Sequence, residues 1–301
     1  MRRDLTDQVA VITGASSGIG AATARAMAAA GIDVVLVARR RDKLDQVASE
    51  VRALGRRAHV IVADVADGGH VDRILDETDR VFGHFDIVFA NAGYGMERPM
   101  HETSNEEVRR MFEVNFFASV ALLQAAANRL QRARRGGHLL MCSSCVSKFA
   151  LPGHGLYAAT KAAQESVCRA MRFELAPDNI EVASVHPITT TSEFFDTSAA
   201  RSGLRGGSIP AHTPRWFVQS PERVAKAIVA CLRRPRSEVW TSTIVRLSAA
   251  LFTAVPFALD LVLRREAKRQ RVVRARVAAI GATAIQTPAN GYSSSVHNRR
   301  S

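Results

Sequence analysis

The sequence predicts an α/β fold built as a doubly wound parallel sheet, and three observations carry that expectation. Apolar runs of strand length alternate with stretches of helical periodicity along most of the 301 residues. Runs such as Val34-Val-Leu-Val37 and Val60-Ile-Val62 are apolar at consecutive positions, as strands covered by helices on both faces must be. The first run, Val9-Ala-Val-Ile-Thr13, passes through a glycine-rich turn into an Ala-rich helical stretch, the opening of a βαβ unit.

In chain order, strands are expected at about 8–13, 33–38, 58–63, 86–91, 137–143 and 180–186, with a short seventh near 238–242 and helices between. The first turn reads Gly14-Ala-Ser16-Ser17-Gly18-Ile19-Gly20. Its glycines let the backbone bend and approach a pyrophosphate, and the free N–H groups and dipole of a helix beginning near Gly18 attract that charge. The spacing, G-x-x-x-G-x-G, differs from the G-x-G-x-x-G of the commoner dinucleotide fingerprint. A later helix opens with the capping box Ser104-Asn-Glu-Glu107, and its pattern runs through Asn115 to about Arg134.

The sharpest chemical signal is Tyr157-x-x-x-Lys161. The chain holds three Tyr and five Lys, so a chance pairing at this spacing is rare. Residues four apart share a helix face, and a nearby ammonium favours the phenolate and lowers a tyrosine pKa from its usual ~10. The pair reads as a proton donor working nearer neutral pH. The competing reading is an aromatic–lysine contact on an amphipathic helix.

Further motifs appear in order: Asp64-Val65 after the third strand, Asn91-Ala92-Gly93 after the fourth, Asn115, and Ser144 thirteen residues before Tyr157. With the glycine turn and Tyr157-x-x-x-Lys161, they make the chain resemble the short-chain dehydrogenase/reductases, NAD(P)-dependent oxidoreductases of Rossmann fold, over residues 6–245. The resemblance implies reversible hydride transfer between a carbonyl and an alcohol. Tyr157 would be the general acid/base, Ser144 would hydrogen-bond the substrate oxygen, Lys161 would bind nicotinamide ribose and lower the Tyr157 pKa, and Asn115 would hold a proton-relay water. Gly14, Ser16, Ser17, Gly18, Ile19, Gly20, Asp64, Val65, Asn91, Ala92, Gly93, Pro187, Thr190 and Ser192 would line the cofactor. One departure stands out: the family usually has Pro-Gly after the sixth strand, whereas this chain has Pro187-Ile188. A β-branched residue disfavours positive φ, so either the loop takes another path or the glycine is dispensable.

The second strand ends at Arg39 and Arg40, nineteen residues after Gly20 in the case of Arg39. A carboxylate there would grip the ribose 2′-hydroxyl of NAD, whereas arginine suits the 2′-phosphate of NADP. Arg39 therefore points to NADP(H) over NAD(H), with Arg40 and Arg41 adding positive potential. A solvated helix start is the alternative. By the resemblance, the segment from about Glu193 to Phe217 would cover the substrate, and its Phe194, Phe195, Trp216 and Phe217 suggest an apolar, lipid-like molecule, with His154 and His186 as candidate contacts. A rival reading keeps the fold as a membrane-associated NADP(H)-binding scaffold or sensor without turnover.

Composition bounds the rest. At 47% hydrophobic the chain can bury a full core, as one α/β domain over 1–245 with an appendage. Met1–Gln8 is charged and polar and no apolar segment precedes the first strand, so no secretory signal and a cytoplasmic location are expected. Four Cys make no disulfide framework. Cys142-x-x-Cys145 has no second pair at ligand spacing, so no metal is expected. Of the net charge of +13, the last 38 residues supply +8, through nine basic residues offset by Glu266. Before them lies an apolar stretch, Leu247 to Leu263, interrupted by Pro256 and Asp260 and short for a span. The extension 246–280 is read as a lid or subunit contact in a dimer or tetramer, or as peripheral docking at the inner face of a membrane. Nucleic-acid binding is disfavoured because the basic run lacks interleaved aromatics. Residues 281–301 have a disordered composition.

Overall fold

A computed structural model describes residues 3–149, 151–202, 213, 217–255, 257, 259–261, 263–265, 267 and 268. Seven strands form one parallel sheet. They are β1 (Val9–Thr13), β2 (Asp33–Ala38), β3 (Ala58–Val62), β4 (Ile87–Ala90), β5 (Gly137–Cys142), β6 (Ile180–His186) and β9 (Glu238–Trp240). Their spatial order is β3-β2-β1-β4-β5-β6-β9, and a separate ladder joins β7 (Thr189–Thr190) to β8 (Val218–Gln219). All seven expected strands are present, each within a residue or two of its expected bounds. The order reverses between β1, which continues to β2 on one side, and β4 on its other side. Ligands bind doubly wound sheets in the crevice at the carboxyl ends of such strands.

Alternation along the strands explains why consecutive positions are apolar. Ile12, Leu36 and Phe89 pack with Met27, Leu44 and Ile228 on one face, while their neighbours Val11, Val35 and Val88 pack with Ile74, Leu122 and Met171 on the other. Both faces are therefore core. The first face is covered by α1 (Gly18–Ala28), α2 (Arg41–Ala53) and α8 (Pro221–Arg233), the second by α3 (His70–Phe82), α5 (Ala118–Arg132) and α6 (Gly155–Glu174). Each fully buried Leu, Ile, Val or Phe contributes about 1.5–3 kcal/mol.

The helix expected from Ser104 to about Arg134 is divided. After α4 (Asn105–Phe112) comes a π-helical turn, Glu113–Phe117, before α5 resumes. The capping box forms as read, with Ser104 Oγ accepting from the Glu107 N–H at 3.2 Å and Glu107 Oε2 accepting from the Ser104 N–H at 2.9 Å. What the helical period did not register is the turn around Asn115, where wider local winding re-aims one side chain, as π-turns at functional sites do.

Ile188 is not among the residues with positive φ, which apart from glycine are Asp7, Arg134 and Asn179 within the described chain. The loop thus runs without the left-handed conformation that would require glycine. The Ile188 side chain is instead buried with Cys145 and Val245, against Phe217 and Trp240. Val245 belongs to α9 (Thr243–Ala254), which falls within a compact unit spanning Met1–Ala254. Val245 and Ala249 face inward and the Phe252 ring meets Phe149 edge-on at 6.2 Å, while Ile244, Leu247 and Leu251 form an exposed row. In the second unit, Val255–Ser301, the described residues from 257 to 268 are helical. Among the described residues no single helix is long and apolar enough to cross a membrane. The expected tail at 281–301, most of the basic run, and Trp216 lie outside the described residues.

Candidate active site

The glycine turn is shaped by its own crowding. Gly14 and Gly18 have φ of +65° and +55°, a region L side chains rarely adopt. A Cβ on Gly20 would collide with the Gly14 carbonyl oxygen and lie 2.8 Å from Asn91 Nδ2, so the turn can close only with glycine there. Asn91 fixes the turn from β4: its Nδ2 donates to the Thr13 and Gly14 carbonyls at 3.0 and 3.4 Å, and Thr13 Oγ1 accepts from the Asn91 and Ala92 N–H groups. A bared loop opening at the N-terminus of α1 is a cradle for a dinucleotide pyrophosphate, so these residues fit the nucleotide cofactor that the motifs imply.

At the end of β2 the two arginines separate. Arg39 Nη1 lies 3.6 Å from Asp64 Oδ2, an atom also 3.6 Å from Arg110 Nη2. Asp64 in turn accepts from the Ala66 N–H at 3.1 Å. It is Arg40, read from the sequence only as added charge, that reaches the turn, donating from Nη2 to Ser16 Oγ at 3.1 Å and Ser17 Oγ at 2.9 Å.

Ser144 stands just past β5 at the cap of a short 3₁₀ turn, its Oγ accepting from the Val146 N–H at 3.4 Å. Its hydroxyl lies close enough to Tyr157 on α6 to favour the phenolate. Lys161, one turn further on, is buried; its Nζ donates to the Cys142 carbonyl at 2.6 Å and to Gln164 Oε1 at 3.0 Å, and sits 5.5 Å from the centre of the Tyr157 ring. Asn115 joins from the π-turn. Its Oδ1 accepts from the Tyr94 N–H at 2.9 Å, while Nδ2 donates to the Tyr94 carbonyl at 2.9 Å and Thr160 Oγ1 at 3.2 Å. Gly93 is held close by the same side chain, since a Cβ there would lie 3.0 Å from Asn115 Oδ1. All four expected residues therefore converge.

A further residue connects them. The Asn115 carbonyl accepts from Gln164 Nε2, and Gln164 Oε1 accepts from Lys161. A buried amide thus links Asn115 to Lys161. Gln164 was legible in principle as a polar residue in the otherwise inward stripe of α6 with Lys161, Cys168 and Met171.

The electrostatics also correct the expectation. Burial pushes the Tyr157 phenol well above its ordinary value, a negative charge at Cys142 would push it further, and the neighbouring Ser144 hydroxyl opposes both. Burial likewise pulls the Lys161 ammonium down to about 8. Lys161 is itself desolvated and its Nζ is held by the Cys142 carbonyl and Gln164, so burial outweighs its charge at Tyr157. The cleft is closed over the pair: α7 (Phe194–Ser202) begins with Phe194, whose ring centre is 5.6 Å from that of Tyr157.

The remaining candidates each have defined contacts within the protein. His186 is fully buried, stacked on Trp240 at 4.5 Å and bonded to the Ser144 carbonyl at 3.1 Å and Ser184 Oγ at 2.8 Å, so it supports the Ser144 turn and does not face the cleft. His154 turns to the Pro152 carbonyl at 3.4 Å. The Pro187 carbonyl accepts from the Cys145 N–H at 3.0 Å, and Thr190 Oγ1 donates to the Ile188 carbonyl at 2.8 Å. Ser192 abuts the glycine turn, where a Cβ on Gly18 would be 3.1 Å from its own. The Cys142 and Cys145 thiols are buried, and burial raises Cys145 to about 12, keeping it protonated and a poor ligand or nucleophile.

Comparison with known proteins agrees with this geometry. The family model described as short chain dehydrogenase matches residues 8–202. A bovine (Bos taurus) relative, dehydrogenase/reductase SDR family member 7B, is 31% identical over 278 residues, covering 90% of this chain and 85% of its own. L-sorbose reductase from Gluconobacter frateurii, solved with NADPH and L-sorbose, superposes with a TM-score of 0.69 at 30% identity, covering 78% of this chain and 92% of its own. A short chain dehydrogenase from Mycobacterium paratuberculosis bound to NAD gives 0.66 at 27% identity, covering 77% and 92%. The match of fold, motif order and convergent side chains makes this chain a member of the short-chain dehydrogenase family of oxidoreductases.

Proposed function

We propose that the chain is an NADP(H)-dependent oxidoreductase that interconverts a carbonyl and an alcohol on an apolar substrate. The observation that carries this reading is the placing of Ser144 beside Tyr157 beneath Phe194, with Lys161 one helical turn away. A bound nicotinamide nucleotide supplies or accepts the hydride. Tyr157 gives its phenolic proton to the carbonyl oxygen, and Ser144 holds that oxygen by hydrogen bonding. Lys161, fixed by Cys142 and Gln164, stabilises the phenolate left behind. In oxidation each proton movement reverses.

Preference for NADP(H) is supported by Arg40 on Ser16 and Ser17 with Arg39 beside it, since a guanidinium fork suits a phosphate monoester. L-sorbose reductase, a structural relative, was solved with NADPH, and the Mycobacterium paratuberculosis enzyme with NAD. An apolar substrate is supported by the cleft walls. Phe194 and Phe195 pack edge-on at 5.6 Å, and Tyr157 packs against Tyr94, Met96 and Leu156. The test is oxidation of NADPH and of NADH by the purified protein against carbonyls graded from short ketones to long-chain and polycyclic ones. The reading expects NADPH-selective turnover that rises with apolar bulk. NADPH binding without turnover of any carbonyl would favour a nucleotide-binding scaffold instead.

A further inference from the structure

Arg40 bridges two parts of the molecule that have no other charged link among the described residues. Its Nη2 holds Ser16 and Ser17 in the glycine turn, while its Nη1 lies 2.8 Å from Glu193 Oε2. The Arg40 guanidinium, with the Ser17 hydroxyl near it, holds the Glu193 carboxyl below its ordinary value, so it is charged at neutral pH. Glu193 immediately precedes α7. Its neighbour on one side, Ser192, abuts Gly18; on the other, Phe194 covers Tyr157 and packs so tightly on Gly95 that a Cβ there would lie 2.6 Å from its ring. The far end of α7 is tied by the Glu97 N–H to Ser202 Oγ at 2.8 Å and by Arg201 over the Tyr94 ring at 4.0 Å. An anion thus sits on the donor set of the nucleotide cradle, and it is attached to the helix that closes the catalytic cleft.

We propose that Glu193 is a specificity-determining latch, its carboxylate occupying the Arg40–Ser17 anion site that a ribose 2′-phosphate takes, so that a 2′-phosphorylated nucleotide displaces it and frees the start of α7 from Tyr157. The inference rests on the nucleotide reading above. A phosphate monoester carries more charge than a carboxylate and offers three acceptor oxygens, so it outcompetes Glu193 for the arginine. A nucleotide with a bare 2′-hydroxyl has no such group and leaves the pair intact. Binding would then be ordered, with the nucleotide first and the carbonyl entering as Phe194 withdraws.

The experiment is Glu193→Gln in the full chain. NADPH and NADH affinities are measured by fluorescence titration, and amide hydrogen exchange is followed over 194–202. Both partners are about half exposed, at 46% each, so removing the competing charge should tighten NADPH binding by about threefold to fivefold, the scale of such a pair. NADH affinity should stay within about twofold by the same reasoning. Exchange in α7 of the free variant should rise toward the level the unaltered protein reaches with NADPH. NADPH affinity that is unchanged or weakened, an equal gain for NADH, or unaltered α7 exchange would each overturn the latch while leaving the cofactor reading standing. Failure of the unaltered protein to bind NADPH would overturn both.

Discussion

At the scale of single residues, Gln164 departs furthest from what the motifs imply. Its buried amide accepts from the Lys161 ammonium and donates to the Asn115 carbonyl, so it sets both where Lys161 points and how readily it loses its proton. Losing the acceptor disfavours the charged form, so Gln164→Leu should take Lys161 below its present value of about 8. The alkaline limb of the kcat/KM profile, set by loss of that proton, should move down by about one pH unit. Gln164→Glu places a carboxylate there and should move the limb up. A residue that only filled space would change activity without moving the limb, and a pH series on both variants separates the cases. Tyr157 and Lys161 were legible because their pairing at this spacing is rare, and Ser144 and Asn115 through the family resemblance. The balance of their charges was not, because it depends on how tightly Phe194 closes over them and on where Lys161 spends its donors. Arg40 was ranked behind its neighbour for a similar reason. Position along the chain places both arginines at the strand end, and only the path of the backbone decides which one turns toward Ser16 and Ser17.

At the scale of elements, the strands were the most legible part, since parallel strands buried on both faces leave uninterrupted apolar runs such as Val34 to Val37. The π-turn at Glu113–Phe117 left no comparable trace, because one extra residue in a winding barely disturbs a helical period over thirty residues. Its cause is visible only in three dimensions: Asn115 must satisfy both backbone groups of Tyr94 while also reaching Thr160. Asn115→Ala would leave those buried groups without partners, at about 1–3 kcal/mol for each one unsatisfied. Chemical denaturation should therefore show a loss of about 3 kcal/mol or more, whereas an unchanged midpoint would mean that the turn is held by other contacts. The Pro187-Ile188 departure resolves at this scale too. The loop needs no positive φ, and the added side chain gains a buried place against Val245 of α9.

At the scale of the whole molecule, sheet order, glycine turn and closing helix form one arrangement. The strand reversal between β1 and β4 opens the crevice, the turn after β1 floors it, and α7 covers the tyrosine beside it. Fold class followed from the alternation of elements. That the segment from Glu193 covers the substrate was expected from the resemblance, but its pairing with Arg40 was not legible, because it spans more than 150 residues of sequence. Leu247 and Leu251, exposed in a row with Ile244, were likewise hidden at the start of an apolar run that gave no sign of which side faced inward.

In the proposed reaction the Tyr157 phenol carries the proton of carbonyl reduction, and the decisive experiment is Tyr157→Phe with NADPH affinity and carbonyl reduction measured on the same preparation. Phenylalanine keeps the ring that packs against Phe194 and removes only the hydroxyl. NADPH binding should stay within about threefold of the unaltered protein and reduction should slow by about a hundredfold or more, the contribution of a positioned general acid. Reduction persisting within tenfold while NADPH still binds would contradict it.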